Sequence, residues 1–87
     1  MRESLIEKHL VRRVAEAGGE TRKVRWVGRN GAPDRLVLLP GRLIWVEVKA
    51  PGETPESHQL REHKRMRAMG QDVRVIDSID QVEGIFV

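Results

Sequence analysis

Cysteine is absent from the 87 residues, which excludes both a disulfide framework and a thiolate metal site. Aromatic rings are scarce, with only Trp26, Trp45 and Phe86. A platform that stacks single-stranded bases needs several exposed rings, so that mode of binding is not expected. No apolar run approaches the ~20 residues of a membrane span, and Met1-Arg2-Glu3-Ser4 leads into a charged amphipathic pattern rather than the apolar centre of a signal peptide. The phosphate loop G-x-x-x-x-G-K-[ST] is missing, so no nucleotide cofactor is expected. His9, His58 and His63 fall in neither an H-x-x-x-H nor an H-E-x-x-H spacing, which leaves a zinc hydrolase site without support. There is no internal repeat and no low-complexity segment. The expectation is one cytoplasmic domain over residues 1–87, with a core small enough that dimerisation would help to stabilise it.

Charge is what the sequence has in quantity. A third of the residues are ionisable, the formal net charge is +3 and the sequence pI is about 10.0. Mild basicity favours polyanionic partners without naming one.

The chain is organised around Pro33 to Lys49. Two apolar, β-branched-rich runs flank Pro40-Gly41, which predicts a β-hairpin with a turn of roughly three or four residues around Pro40 to Arg42. Asp34 opens the first strand, and Glu47 and Lys49 close the second. Alternation puts Glu47, Lys49 and Trp45 on one face, and Leu36 and Leu38 with Asp34. Antiparallel pairing brings Asp34 towards Glu47. A plain ion pair, Glu47 with Lys49 or Asp34 with Arg35, is one reading of these charges. The sharper one is a metal site: two converging carboxylates repel, and a hard divalent cation such as Mg²⁺ or Mn²⁺ relieves them.

Around the hairpin, Ser4 to Ala17 reads as a helix with Ile6, Leu10, Val14 and Ala17 on its buried stripe and Ser4 with Glu7 in capping-box spacing. Thr21 to Val27 reads as a strand with Trp26 in the core. Gly28 to Gly31 is a loop, either a plain turn or a basic grip on a substrate backbone through Arg29. After the hairpin, Thr54 and Pro55 predict the start of a helix running to Met69, with Gly70 ending it. Gln59, His63 and Met66 lie along one side of it, with His63 expected at the surface and a place behind the metal ligands as its alternative. Arg61, Lys64 and Arg65 make the helix basic, either as a solvated face or as a surface that tracks phosphates. Asp72 to Asp77 reads as a last strand, Ser78 caps a short helix to Glu83, and the apolar Ile85-Phe86-Val87 tail is expected at a sheet edge or on a partner subunit. The order helix-strand-strand-strand-helix-strand gives an α/β fold with a mixed sheet of about four strands, the first three a meander and the fourth added in parallel by a crossover.

Pro33-Asp34, a gap of twelve residues and Glu47-Val48-Lys49 resemble the PD-(D/E)xK nuclease signature. With Gly31-Ala32 before the aspartate, Gln59 at the start of the following helix and Glu7 on the first helix, the chain resembles the virus-type replication-repair nuclease (VRR-NUC) family in its minimal stand-alone form. The resemblance runs from Glu7 to about Asp77. It implies a restriction-endonuclease-like core and metal-dependent hydrolysis of DNA phosphodiesters, on branched DNA such as four-way (Holliday) junctions, by a homodimer of phage or bacterial origin. By the same resemblance the Val48 carbonyl is a third metal ligand, Gln59 stands beside the catalytic Lys49, and Glu7 leans into the metal site; the alternative for Glu7 is the helix cap. Arg29, Arg35, Arg61, Lys64 and Arg65 are the candidate DNA contacts. Two other classes remain open: a weakly active nucleic-acid-binding module, and a nuclease subunit directed by a partner protein.

Overall fold

In the computed structural model, which describes Met1–Val87, the stripe Ile6, Leu10 and Val14 is fully buried on one side of helix α1 (Glu3–Glu16). The helix begins two residues earlier than its cap signal suggests, and Ala17, which caps its other end, is exposed rather than part of the buried stripe. Arg2 occupies the cap position with no side-chain bond, and its carbonyl accepts the Leu5 and Ile6 N–H groups at 3.1 and 3.5 Å. Ser4 is therefore inside the helix, and the Ser4–Glu7 capping box does not form.

The sheet contains β1 (Glu20–Lys23), β2 (Arg35–Leu39), β3 (Arg42–Val48) and β4 (Val73–Ile76), in the order β1-β2-β3-β4. The first three strands form an antiparallel meander. Helix α2 (Ser57–Ala68) carries the chain across to β4, which lies parallel to β3. The expected strand from Thr21 to Val27 is shorter than its pattern. Val24 N–H still reaches the Asp34 carbonyl at 3.0 Å, but the next residue on the partner side is Pro33, which has no N–H to continue the ladder. The hairpin turn is also tighter than expected, because Leu39 pairs with Arg42 and only Pro40-Gly41 intervene. Gly41, at φ 75°, supplies the positive φ that this connection needs.

One face of the sheet carries the main core. Val37, Ile44, Val46, Val48 and Ile76 pack there against α1 and against Val82 and Ile85. Val82 belongs to α3 (Ile79–Glu83), which Ser78 caps by accepting the Gln81 N–H at 3.1 Å. Ile85 belongs to the closing 3-10 turn Gly84–Phe86. The apolar tail is thus not an edge strand: Ile85 is buried in the chain's own core and the Arg13 guanidinium lies 4.6 Å over the Phe86 ring, while Val87 is exposed. Helix α2 covers the β3–β4 half of the other face, tied there by Arg67, which donates to the Val73 carbonyl at 2.8 and 3.1 Å. Leu43, across from Leu38 on that face, stays 45% exposed.

Candidate metal and phosphodiester site

Hairpin register brings the two carboxylates together. Arg35 pairs with Val46, so one step further Asp34 stands opposite Glu47 and their side chains share the face under α2. Asp34 Oδ2 accepts the Val48 N–H at 2.8 Å, which locks the start of β2 to the end of β3. Glu47 is 1% exposed. Its Oε2 accepts from Gln59 Nε2 at 3.0 Å and from Lys49 Nζ at 3.2 Å, while its Oε1 is buried without a partner. Such a buried, unpartnered carboxylate oxygen beside a second carboxylate is the donor set a hard cation takes.

Gln59 is fixed at both ends. Its Oε1 accepts the Glu56 N–H at 2.9 Å and its Nε2 donates to Glu47. The same side chain therefore closes the first turn of α2 and aims the site carboxylate. This also explains why the helix starts later than the Thr54-Pro55 signal: the capping residue is Glu56, answered three residues on by Gln59.

Burial is the main reason that the Glu47 carboxyl sits above the usual carboxylate range, and the Asp34 charge pushes the same way. The hydrogen bond and charge of Lys49, and the Gln59 amide, pull it partly back. A carboxyl whose pKa is raised on folding costs nothing below its ordinary value of 4.5, where both folded and unfolded chains hold the proton. As pH rises from there towards the folded value, the unfolded chain releases its proton first and stability is lost. In metal-free buffer, Glu47→Gln is therefore expected to melt higher than the wild type at neutral pH, with the difference closing as pH falls below 4.5. Melting curves across that range check it; a difference that does not change with pH would contradict the assignment.

The other sequence-derived residues divide into two groups. Asp34, Glu47, Lys49, Gln59 and the Val48 main chain meet at one place. Glu7 does not join them: its Oε2 accepts from Arg35 Nε at 3.0 Å, and Arg35 shares a sheet face with Val46, the face packed on α1. The ion pair expected between Asp34 and Arg35 is thus replaced by Glu7–Arg35, since neighbours on a strand point opposite ways. No third carboxylate or imidazole completes a metal-binding cluster with the pair. Glu7, Arg35, Lys8 and Arg12 instead line a cleft of about 380 Å³ along α1.

Two residues of α2 are more involved than their sequence setting suggests. Glu62, 5% exposed, binds Arg29 at 3.0 Å and Arg65 at 2.9 Å. It is the lone acid in a basic run, a signal that the helix pattern alone passes over. His63, expected at the surface, is 0% exposed. Its position four residues after Gln59 already put it on the site-facing side. Arg61 and Lys64 are exposed and make no ion pair with the rest of the chain. Trp26, expected in the core, is only half-buried and packs with its ring tilted by 57° against Trp45, 5.7 Å between centroids, and Trp45 Nε1 donates to Gln71.

Over 81 residues the chain is 56% identical to "Putative nuclease p44" of Acyrthosiphon pisum secondary endosymbiont phage 1, a match covering 92% of this chain and 87% of that one. A solved structure described as "VRR_NUC domain" superposes with a TM-score of 0.91 at 40% identity, covering 99% of this chain and 96% of the other. A scan against family models found no match.

Proposed function

The chain belongs to the VRR-NUC family of nucleases, and from that premise we propose that it is a Mg²⁺- or Mn²⁺-dependent endonuclease that hydrolyses DNA phosphodiesters in branched substrates. The observation that carries the metal is Glu47: a carboxylate driven into the protein interior opposite Asp34, with one oxygen left unpaired. Lys49 and Gln59 satisfy only Oε2, and a buried carboxylate oxygen is rarely left without any partner.

In this reading Asp34 and Glu47 hold the cation, with the Val48 carbonyl as third protein ligand. A bound divalent cation would polarise a phosphoryl oxygen and lower the pKa of water at neutral pH. Lys49 is kept beside Glu47 by the 3.2 Å contact and puts a positive charge where the phosphate gains negative charge. Gln59 holds the Glu47 carboxylate in one orientation. Glu7 keeps Arg35 in place on the α1 face of the sheet, and the cleft that they line with Lys8 and Arg12 offers cations to backbone phosphates. On the other side of the sheet, Arg61 and Lys64 are unpaired and available to phosphate, while Arg29 and Arg65 are anchored by Glu62.

These contacts read backbone charge and shape rather than bases. A C₂ homodimer would present two such sites to the two-fold symmetry of a four-way junction. With Ile85 packed in the chain's own core, the support for pairing is the small core and the half-open sheet face around Leu43. The test is cleavage of a labelled four-way junction, a flap and plain duplex, with the protein's mass in solution measured alongside. Paired nicks on the junction by a dimer are expected. Equal cutting of all three by a monomer would leave a non-selective nuclease that takes its specificity from a partner protein.

A further inference from the structure

His63 is an expensive residue where it stands. It is 0% exposed, and neither Nδ1 nor Nε2 has a hydrogen-bond partner. An unsatisfied buried polar group is destabilising, and a leucine would fill similar space without that cost. Helix neighbours do not use the ring. Arg67 is turned to the Val73 carbonyl, and Glu62 to Arg29 and Arg65. The charges of Asp34 and Lys49 reach the imidazole and act on it in opposite senses. The same two side chains act on Glu47. Gln59, one turn before His63 on the same helix face, already holds Glu47 Oε2.

The site wall facing His63 has unused acceptors of its own. Asp34 is engaged through Oδ2, and Glu47 Oε1 is buried and unpaired. Resting on the nuclease reading above, we propose that His63 is a positioning residue of the metal site: its imidazole, through one hydrogen-bonded water, holds the free edge of the Asp34 carboxylate and so presets Asp34 and Glu47 for a single divalent cation. Burial pushes the imidazole below its usual range, with Arg67 and Lys49 acting in the same direction against the opposing pull of Glu62 and Asp34. A neutral imidazole carries an N–H donor that can bond the water, and the water in turn donates to the Asp34 carboxylate. Gln59 then orients one carboxylate and His63 the other, from successive turns of one helix.

Two readouts test this on the full chain: thermal melting in chelator, and Mn²⁺ titration by calorimetry, for the wild type, His63→Leu and His63→Gln. The leucine variant is expected to melt higher than the wild type in chelator and to bind Mn²⁺ about 10–100-fold more weakly, the loss typical of groups that orient metal ligands. The glutamine variant, which keeps a donor and an acceptor, is expected to recover part of the Mn²⁺ affinity. A leucine variant that melts lower and binds Mn²⁺ as well as the wild type would make His63 a packing residue and overturn the proposal alone. Equal losses of affinity in both variants would also overturn it, since hydrogen bonding would then not be the property that matters. Wild-type protein that binds no Mn²⁺ would remove the metal reading beneath it.

Discussion

Glu47→Ala and Asp34→Ala are each expected to abolish DNA cleavage while metal-free binding of the same DNA is retained. The loss should reach on the order of 10³-fold, at or beyond the 10²–10³ typical of removing one electrostatic stabiliser, because a cation held by two carboxylates loses half of its charged ligands. Alanine also unpairs Gln59 Nε2 or the Val48 N–H, so a folding check belongs with the assay. Glu47→Gln is the cleaner variant. Its amide oxygen can still accept from Gln59, and only the charge is gone. It is expected to be inactive yet more stable at neutral pH without metal. Opposite movements of activity and stability mark a residue kept for function. Lys49→Ala should instead lose cleavage with its metal affinity kept. Near-wild-type cutting by Asp34→Ala or Glu47→Gln would remove the metal-site assignment, and lost metal affinity in Lys49→Ala would make the lysine part of the site's construction.

Gly31→Ala is expected to lower stability by about 2–4 kcal/mol, from roughly 1–2 for a side chain in the left-handed region and about 1–2, the lower part of the usual range, for overpacking. Gly31 has φ 94°, and a Cβ there would come within 2.8 Å of both Glu62 Cβ and the His58 carbonyl oxygen and 3.4 Å from Gln59 Cα. The last two are backbone and cannot swing aside. The loop before Asp34 is laid directly on the first turns of α2, and the Arg29–Glu62 ion pair fastens it there. Pushing the helix away at this point shifts Gln59 and slackens its hold on Glu47. Cleavage should therefore fall as well, by more than the fraction unfolded explains. Gly28→Ala is the matched control: its φ is 84°, but a Cβ there meets nothing within 4 Å, so only backbone strain remains. A melting loss of roughly 10–25 °C for the first and a few degrees for the second is the expected pattern. Equal losses would mean that the contact with α2 does not matter.

The sheet was legible because its signals are local and redundant. Alternating apolar residues around Pro40-Gly41 define the hairpin. Two carboxylates at its open end become neighbours through antiparallel register alone, so Asp34 and Glu47 could be paired on paper. Segment ends were less legible because they depend on contacts distant in sequence. The first strand ends where Pro33 offers no N–H, and α2 starts where Gln59 can reach both Glu56 and Glu47. Glu7 shows the limit most clearly. Its spacing from Ser4 fits a cap and its family setting fits a metal ligand, yet it pairs with Arg35, twenty-eight residues away. Helical periodicity put His63 on the right side of its helix, but nothing in one sequence says that a histidine in a basic run is covered completely.

The most direct test of the metal site is a time course of cleavage of a labelled four-way junction by the wild-type protein with Mg²⁺, with Mn²⁺ and with chelator. The account predicts cutting with either cation, none in chelator, and recovery when cation is added back. Cleavage that continues unchanged in chelator would contradict it, and the buried Glu47 opposite Asp34 would then need a different purpose.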